Sequence, residues 1–428
     1  MSITKIIKYV YVLFTIYVLM TVSVTTMTLF DVFFGIVSLW ITFIFFKLGF
    51  SNKGSINYET KKGSIDNYWL VNQKPFTLAI FAGISLVSSI VAVIFYTGQT
   101  PLSVIQSLLY GNSLYIEYQL HFSLNNIAVF SLKKVPFILM LLAVKFNLIF
   151  SLVSFNLKKD RINLYEKLYL FAVIFSHIYI GIARGTSFEF FELLILIFFI
   201  MAVKNLSNLL SIKNNLVTIL TAVLMSIVFF LGLSSRGVKF NHRISGDIYF
   251  DSTGIISSLS SFLSLVILMF FDYFGFGFFY MTTYYSKVWV SSINNFIGGF
   301  IPFGTQLLTK STISSQMAST IDMGVRWHPD AINIIDAWGI IGLLLFCYII
   351  GRLARIMQNQ IEISHNVDIA YMTLYFILLQ MISLPIGNFI QVSSSNKLIV
   401  AFLLFFWVWK FSKLSTLVSY IVARFKAR

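Results

Sequence analysis

Long apolar runs alternate with short polar breaks along this chain, and the runs recur at membrane-crossing length. They fall at residues 9–28, 31–50, 76–96, 135–156, 164–182, 186–203, 215–233, 331–351, 369–389 and 396–412. Runs of about 20 residues, rising about 1.5 Å per residue, match a hydrocarbon core of about 30 Å. Barrel strands would instead alternate apolar and polar positions over about half that length. The pattern therefore predicts an all-α fold, a polytopic integral membrane bundle of ten transmembrane helices. A further apolar stretch at 255–281 is ambiguous; as a hairpin of two short spans it would raise the count to twelve. The first run follows Lys5 and Lys8 in the manner of a signal peptide. It is too long for one and no small-residue cleavage site follows, so it is read as the first helix.

Composition supports this class. Hydrophobic residues make up 58% and charged residues 11% of the 428 positions, against about a quarter charged in a soluble domain; the mean hydropathy is +0.85. Cys347 is the single cysteine, which leaves no disulfide framework or cysteine-based metal site. The reading is one transmembrane domain over 1–428 with a large loop at 234–330.

The positive-inside rule orients the bundle. With the amino end in the cytoplasm, Lys53, Lys61, Lys62, Lys74, Lys158, Lys159, Arg161, Lys204, Lys213, Arg352 and Arg355 all fall in inner loops, and so does the carboxyl tail. Both termini are then cytoplasmic. The net charge of +15 reads as an orientation signal that meets anionic membrane lipids, and it does not indicate nucleic acid. Lys133 and Lys134 fall outside, where they are expected to snorkel from a helix end.

The cations left on the outer side need chemistry. Arg184, Arg236, Arg243, Arg326, His242 and His328 gather where helices emerge. Two outer connections are long, 97–134 and 234–330; the second is far beyond an ordinary loop and reads as a functional element. It opens with Arg236, Lys239, His242 and Arg243, followed by Asp247 and Asp251, which would share a face if that segment were helical. Its middle mixes glycine with aromatic residues, a composition suited to the membrane interface, to a groove for a lipid chain or to sugar stacking. It ends with Arg326, His328 and Asp330, and Asp336 follows in the next helix. A histidine beside carboxylates can act as a general base. Between the fifth and sixth runs, Arg184 precedes Glu189 and Glu192, which share one face; a phosphate contact and an internal Arg–Glu clamp are both open. His177, seven residues earlier, reads as packing. There is no P-loop, zinc-type HExxH or GxSxG elbow, so an activated donor already in the membrane has to supply the driving force.

Three features carry a family resemblance: the ARG ending at Gly185, the aromatic stretch around Gly275 and Gly277, and RWHPDAINIIDAWGIIGLLLF with Trp327, His328, Asp336 and Gly339. By these the chain resembles the O-antigen and capsular polysaccharide repeat-unit polymerases (Wzy-type) of the bacterial inner membrane. Pro329, directly after His328, departs from the pattern. The resemblance implies a multi-pass glycosyltransferase whose partners are undecaprenyl-pyrophosphate-linked oligosaccharide and, for some members, a chain-length regulator protein. A hydroxyl of one lipid-linked repeat would attack the anomeric carbon of another, and undecaprenyl pyrophosphate would leave. Arg184, Arg236, Arg243 and Arg326 would hold the pyrophosphate, since guanidinium forks pair with phosphate oxygens. His328 would take the acceptor proton, Asp336 or Asp330 would orient it, and His242 is the second candidate base. No cofactor or metal is expected. The alternatives are an O-antigen ligase, a flippase or transporter of lipid-linked oligosaccharide, and a structural scaffold.

Overall fold

The computed structural model describes residues 3–51, 70, 73–111, 113–125, 127, 131–157, 162–205, 243–245, 248–271, 277, 281, 329–363, 367–387, 389–391 and 393–411. It is an all-α bundle. In chain order the helices are α1 (Ile3–Val22), α2 (Leu29–Ser51), α3 (Pro75–Thr97), α4 (Pro101–Tyr110), α5 (Leu114–Leu124), α6 (Val135–Leu157), α7 (Leu164–Arg184) and α8 (Phe188–Asn205), then α9 (Ile255–Leu259), α10 (Ser261–Phe270), α11 (Asp330–Ile363), α12 (Val367–Ile386) and α13 (Ser394–Phe411). Among the described residues, seven helices are long and apolar enough to cross a membrane. Nine of the ten apolar runs coincide with a helix; the run at 215–233 lies outside the described residues.

Local sequence sets the helix ends. Pro75 and Pro101 occupy first-turn positions, where a missing N–H costs nothing. Asn163 and Glu166 close a capping box at the start of α7. The centre of the bundle is α12, buried along nearly its whole length. α11 packs along α2 with little side-chain padding. A Cβ at Gly49 would come 2.0 Å from the Tyr348 carbonyl oxygen, and one at Gly351 would come 2.0 Å from that of Phe46. Glycine therefore lets the two backbones touch, the close approach favoured where lipid supplies no hydrophobic drive. Cys347 is buried beside this contact zone on α11, as a small apolar residue.

Several connections differ from the sequence reading. Residues 97–134 carry two short helices, α4 and α5, and a 3₁₀ turn at Leu132–Lys134. Lys134 does not simply snorkel: its Nζ donates to the Ile127 carbonyl at 3.2 Å. The segment with Arg243 and Asp251 is not helical. β1 (Arg243–Ser245) pairs antiparallel with β2 (Ile248–Tyr249), and the pair is tied to the α1–α2 turn: the Thr26 N–H donates to Tyr249 at 2.9 Å and the Asp251 N–H to Val24 at 3.1 Å. An extended backbone turns successive side chains to opposite faces, so the helical spacing has no meaning there. Asp251 instead accepts from the Thr253 amide and hydroxyl, which hold its carboxyl below the usual carboxylate range; Asp247 lies outside the described residues. The ambiguous stretch at 255–281 begins as two short helices, α9 and α10, split at extended Ser260. Residues 272–276 and 278–280 of that stretch lie outside the described residues.

α11 is broken at Gly339, whose φ of 73° and ψ of 178° lie in a region open to glycine alone. The break leaves a short first segment, Asp330–Trp338, and a second, 340–363, whose 24 residues rise about 36 Å and span unaided. Trp338 folds back over Gly342, where a Cβ would sit 2.2 Å from its own.

Candidate functional site

One group of polar side chains buried in the bundle lies toward the end where α7 finishes, α8, α11 and α13 begin and α12 finishes. Arg184 closes α7, and its guanidinium is held from two sides. Nη1 donates to Glu189 Oε1 at 2.6 Å and Nη2 to the Tyr118 hydroxyl at 3.3 Å, with the guanidinium carbon 5.1 Å above the Tyr118 ring. The Thr186 hydroxyl fixes the other Glu189 oxygen at 2.8 Å. The Arg184 side chain keeps 30% of its surface exposed, whereas that of Glu189 keeps 5%. Among the described residues, two of the five Arg184 N–H donors are spent. The internal clamp foreseen as one reading of Arg184 is therefore present, and it orients the arginine.

One turn deeper, Glu192 has a different partner. Lys145 Nζ, from the middle of α6, lies 2.8 Å from Glu192 Oε2 and donates to Oε1 at 3.1 Å. Asn396 Nδ2 donates to Glu192 Oε1 and to the Phe389 carbonyl. His177 joins the two glutamates: its Nε2 lies 3.1 Å from the Glu189 carbonyl oxygen and 4.0 Å from Glu192 Oε2. His177 is buried, in keeping with the reading as packing, and its imidazole has the polar partner that burial requires in the Glu189 carbonyl.

Beyond Asn396 lies Asp330, the first residue of α11, with no exposed surface. Its Oδ2 accepts from the Ser383 hydroxyl at 2.5 Å, the Gln391 amide at 3.1 Å and Gln380 Nε2 at 3.4 Å, and the charge of Lys397 acts on it. Among the described residues, its Oδ1 has no hydrogen-bond partner. One oxygen is anchored from α12 and the segment after it. Asp336 is also buried, on the same short segment of α11. Six residues separate the two aspartates, about 120° apart around the helix, so they do not present to one common point.

A chain of contacts thus runs from Arg184 through Glu189, His177, Glu192 and Asn396 to the Phe389–Gln391 segment, whose backbone holds Asp330. Glu189 is paired with Arg184 and Glu192 with Lys145. An unpaired buried charge costs several kcal/mol, so this balance is a condition of the fold. Gly277, in the aromatic stretch singled out by sequence, reaches the same place: a Cβ there would come 2.6 Å from the Pro329 ring and 3.2 Å from the Pro385 carbonyl oxygen. The missing side chain lets Gly277 itself pack against Pro329, the residue before Asp330.

Of the residues expected from sequence, Arg184, Asp330 and Asp336 are placed, and the first two belong to one network. Arg243 is placed only by its backbone, in β1. Arg236, Arg326, His242 and His328 lie outside the described residues, as do Trp327 and Gly275. Sequence reasoning missed Lys145, Asn396, Gln380 and Ser383. Lys145 carried a signal, a lone ammonium inside an apolar run, since intramembrane ionisable residues mark function by default. The three neutral residues carried none. Among the described residues, no group of three or more His, Cys, Asp or Glu converges to hold a metal ion. No family model, curated protein or solved structure matches the chain.

Proposed function

We propose that the chain is a membrane glycosyltransferase that joins polyprenyl-pyrophosphate-linked oligosaccharide repeats into O-antigen or capsular polysaccharide. The observation that carries the reading is the buried network between Arg184 and Asp330, two residues singled out by separate sequence segments 146 positions apart. In this reading the Arg184 end faces the periplasm, as the lysines and arginines at the opposite end imply under the positive-inside rule.

Each part has a task. Arg184, pre-oriented by Glu189 and Tyr118, offers its guanidinium to the departing pyrophosphate, where negative charge develops during transfer. Arg236, Arg243 and Arg326 add to that field. His328 takes the proton of the attacking hydroxyl as the glycosidic bond forms and the bond to pyrophosphate breaks. Asp330, fixed through one oxygen, sets the start of α11 and hence the backbone beside His328. Asp336 supports that segment from another side, and His242 is the second candidate base. No step requires a metal, because guanidinium groups neutralise the leaving group.

Transport is the second reading, and the break in α11 favours it, since transporters often bind substrate at broken helices. The break lies nine residues from the start of α11, however, and the remainder spans the membrane unaided, so it forms a shelf at one end and not a mid-membrane site. Ligation of finished glycan uses the same donor chemistry and differs in its acceptor.

The test is genetic. The host gene is deleted, complemented with wild type, Arg184→Lys or Asp330→Asn, and surface polysaccharide is separated on a gel. The reading predicts a single capped repeat in place of a ladder for the deletion and for either variant at normal protein level. Complete loss of attached glycan points to ligation or flipping, and an unchanged ladder contradicts the proposal.

A further inference from the structure

α4 and α5 each divide their surface three ways. On α4, Val104 and Ser107 are buried, while Leu102, Ile105, Leu108 and Leu109 are 54–79% exposed. On α5, Leu114 and Tyr118 are buried, while Ile116, Leu120 and Leu124 are 50–79% exposed. At 3.6 residues per turn, each exposed apolar set occupies about a third of the circumference or less. Beside it runs a polar flank, half-buried Ser103 and exposed Gln106 on α4, and exposed Gln119 and Ser123 on α5. A helix wholly in water gains nothing from such a stripe, and one wholly in lipid gains nothing from the flank. A helix lying along the membrane interface uses both.

The placement of α5 fits that position. α3 and α7 each end in a left-handed glycine, Gly98 at φ 71° and Gly185 at φ 58°. α5 lies across both: a Cβ on Gly98 would come 2.6 Å from His121 Nδ1, and one on Gly185 would come 2.6 Å from the Tyr115 backbone nitrogen. Polar residues of the buried face tie the pair together, with Gln99 Nε2 and the Ser107 hydroxyl both donating to Glu117 Oε2 at 2.5 and 3.4 Å. α5 therefore crosses the ends of two spanning helices and extends sideways from them. The spanning helices themselves expose Ile80, Ile84, Val87 and Ile94 on α3, and Leu168, Phe171 and Phe175 on α7. The α4–α5 stripes prolong that lipid-facing surface at the level of Arg184.

We infer that α4 and α5 lie in the interfacial layer of the bilayer, with their leucine and isoleucine stripes among the acyl chains of the leaflet at the Arg184 end. Tyr118 projects from this pair onto Arg184, so an anionic lipid headgroup moving in that leaflet meets the guanidinium without leaving the membrane. This route takes its substrate from the transferase reading; the position of the two helices does not depend on it.

The test uses the full chain in lipid nanodiscs with Cys347→Ala. Single cysteines at Leu109 or Leu120, and separately at Gln106 or Gln119, carry an environment-sensitive fluorophore, and nitroxide on the lipid chains is compared with iodide in the water. The stripe positions should be quenched by the lipid nitroxide several-fold more than the glutamine positions, which should respond to iodide. Leu102→Cys and Leu124→Cys give a second pair if the first fails to fold. Stripe labels quenched by iodide as strongly as the glutamine labels would place the helices in water. Labels shielded from both quenchers would place a protein partner or a second copy over the stripe. Either result overturns the inference, whatever the activity of the protein.

Discussion

Two interfaces of the same bundle solve the packing problem in opposite ways. Where α2 meets α11, Gly49 and Gly351 bring backbone against backbone and the contact is apolar. Where α6, α7 and α8 meet α12 and α13, the contact holds Lys145, His177, Glu189, Glu192 and Asn396, all buried. The first shows that packing alone can hold these helices together. The second therefore carries a desolvation cost that assembly does not require. Buried ion pairs are often no more stabilising than apolar residues of equal volume, which makes stability a poor account of the polar interface and function a better one.

The largest expected effect comes from unbalancing that interface. Glu192→Leu leaves Lys145 buried without its carboxylate and should destabilise the protein by about 3–5 kcal/mol, read as lost folded protein on detergent gel filtration and a lower melting temperature. Lys145→Met combined with Glu192→Leu should recover most of that loss while glycan polymerisation stays impaired. Recovery of both would reduce the polar interface to a variant of the apolar one.

Arg184→Lys comes next. It keeps the charge but loses the planar fork that bonds Glu189 and Tyr118 together. Transfer should fall by about 10²–10³, corresponding to about 2.7–4 kcal/mol for one contact to the developing charge, with the melting temperature nearly unchanged. Gly351→Ala attacks the other interface by pressing a methyl group onto the Phe46 carbonyl. It should cost about 1–3 kcal/mol of stability and leave transfer per folded molecule at the wild-type rate. The smallest effect on stability belongs to Gln380→Leu, which removes the longest of the three bonds to Asp330, at about 1 kcal/mol; a glycan ladder beside a melting curve reads both consequences.

The same contrast explains what could be read in the sequence. Each spanning helix announces itself locally, because about 20 successive apolar residues have few other places to go. α4 and α5 were hidden inside 97–134, since 10 or 11 residues of mixed character resemble a polar connection. The β1–β2 pair was hidden as well, because what holds Tyr249 is Thr26, more than 200 positions away. Gly339 belonged to a quoted motif, yet nothing in the linear order reveals that the helix breaks there. In the site, Arg184 and Asp330 were legible as charges at the mouths of apolar runs. Their connection was not, because Glu192 and Asn396 lie 204 positions apart and only the fold makes them neighbours.

The most direct test of the account is reconstitution of the full chain in lipid nanodiscs with a polyprenyl-pyrophosphate-linked oligosaccharide as both donor and acceptor, followed by release of polyprenyl pyrophosphate and lengthening of the glycan. The account predicts stoichiometric release with each added repeat for the wild type, and a fall of both by about 10²–10³ for Arg184→Lys, which keeps a positive charge beside Glu189 and stays folded. Substrate bound without release by folded wild type, or wild-type elongation by Arg184→Lys, would contradict it.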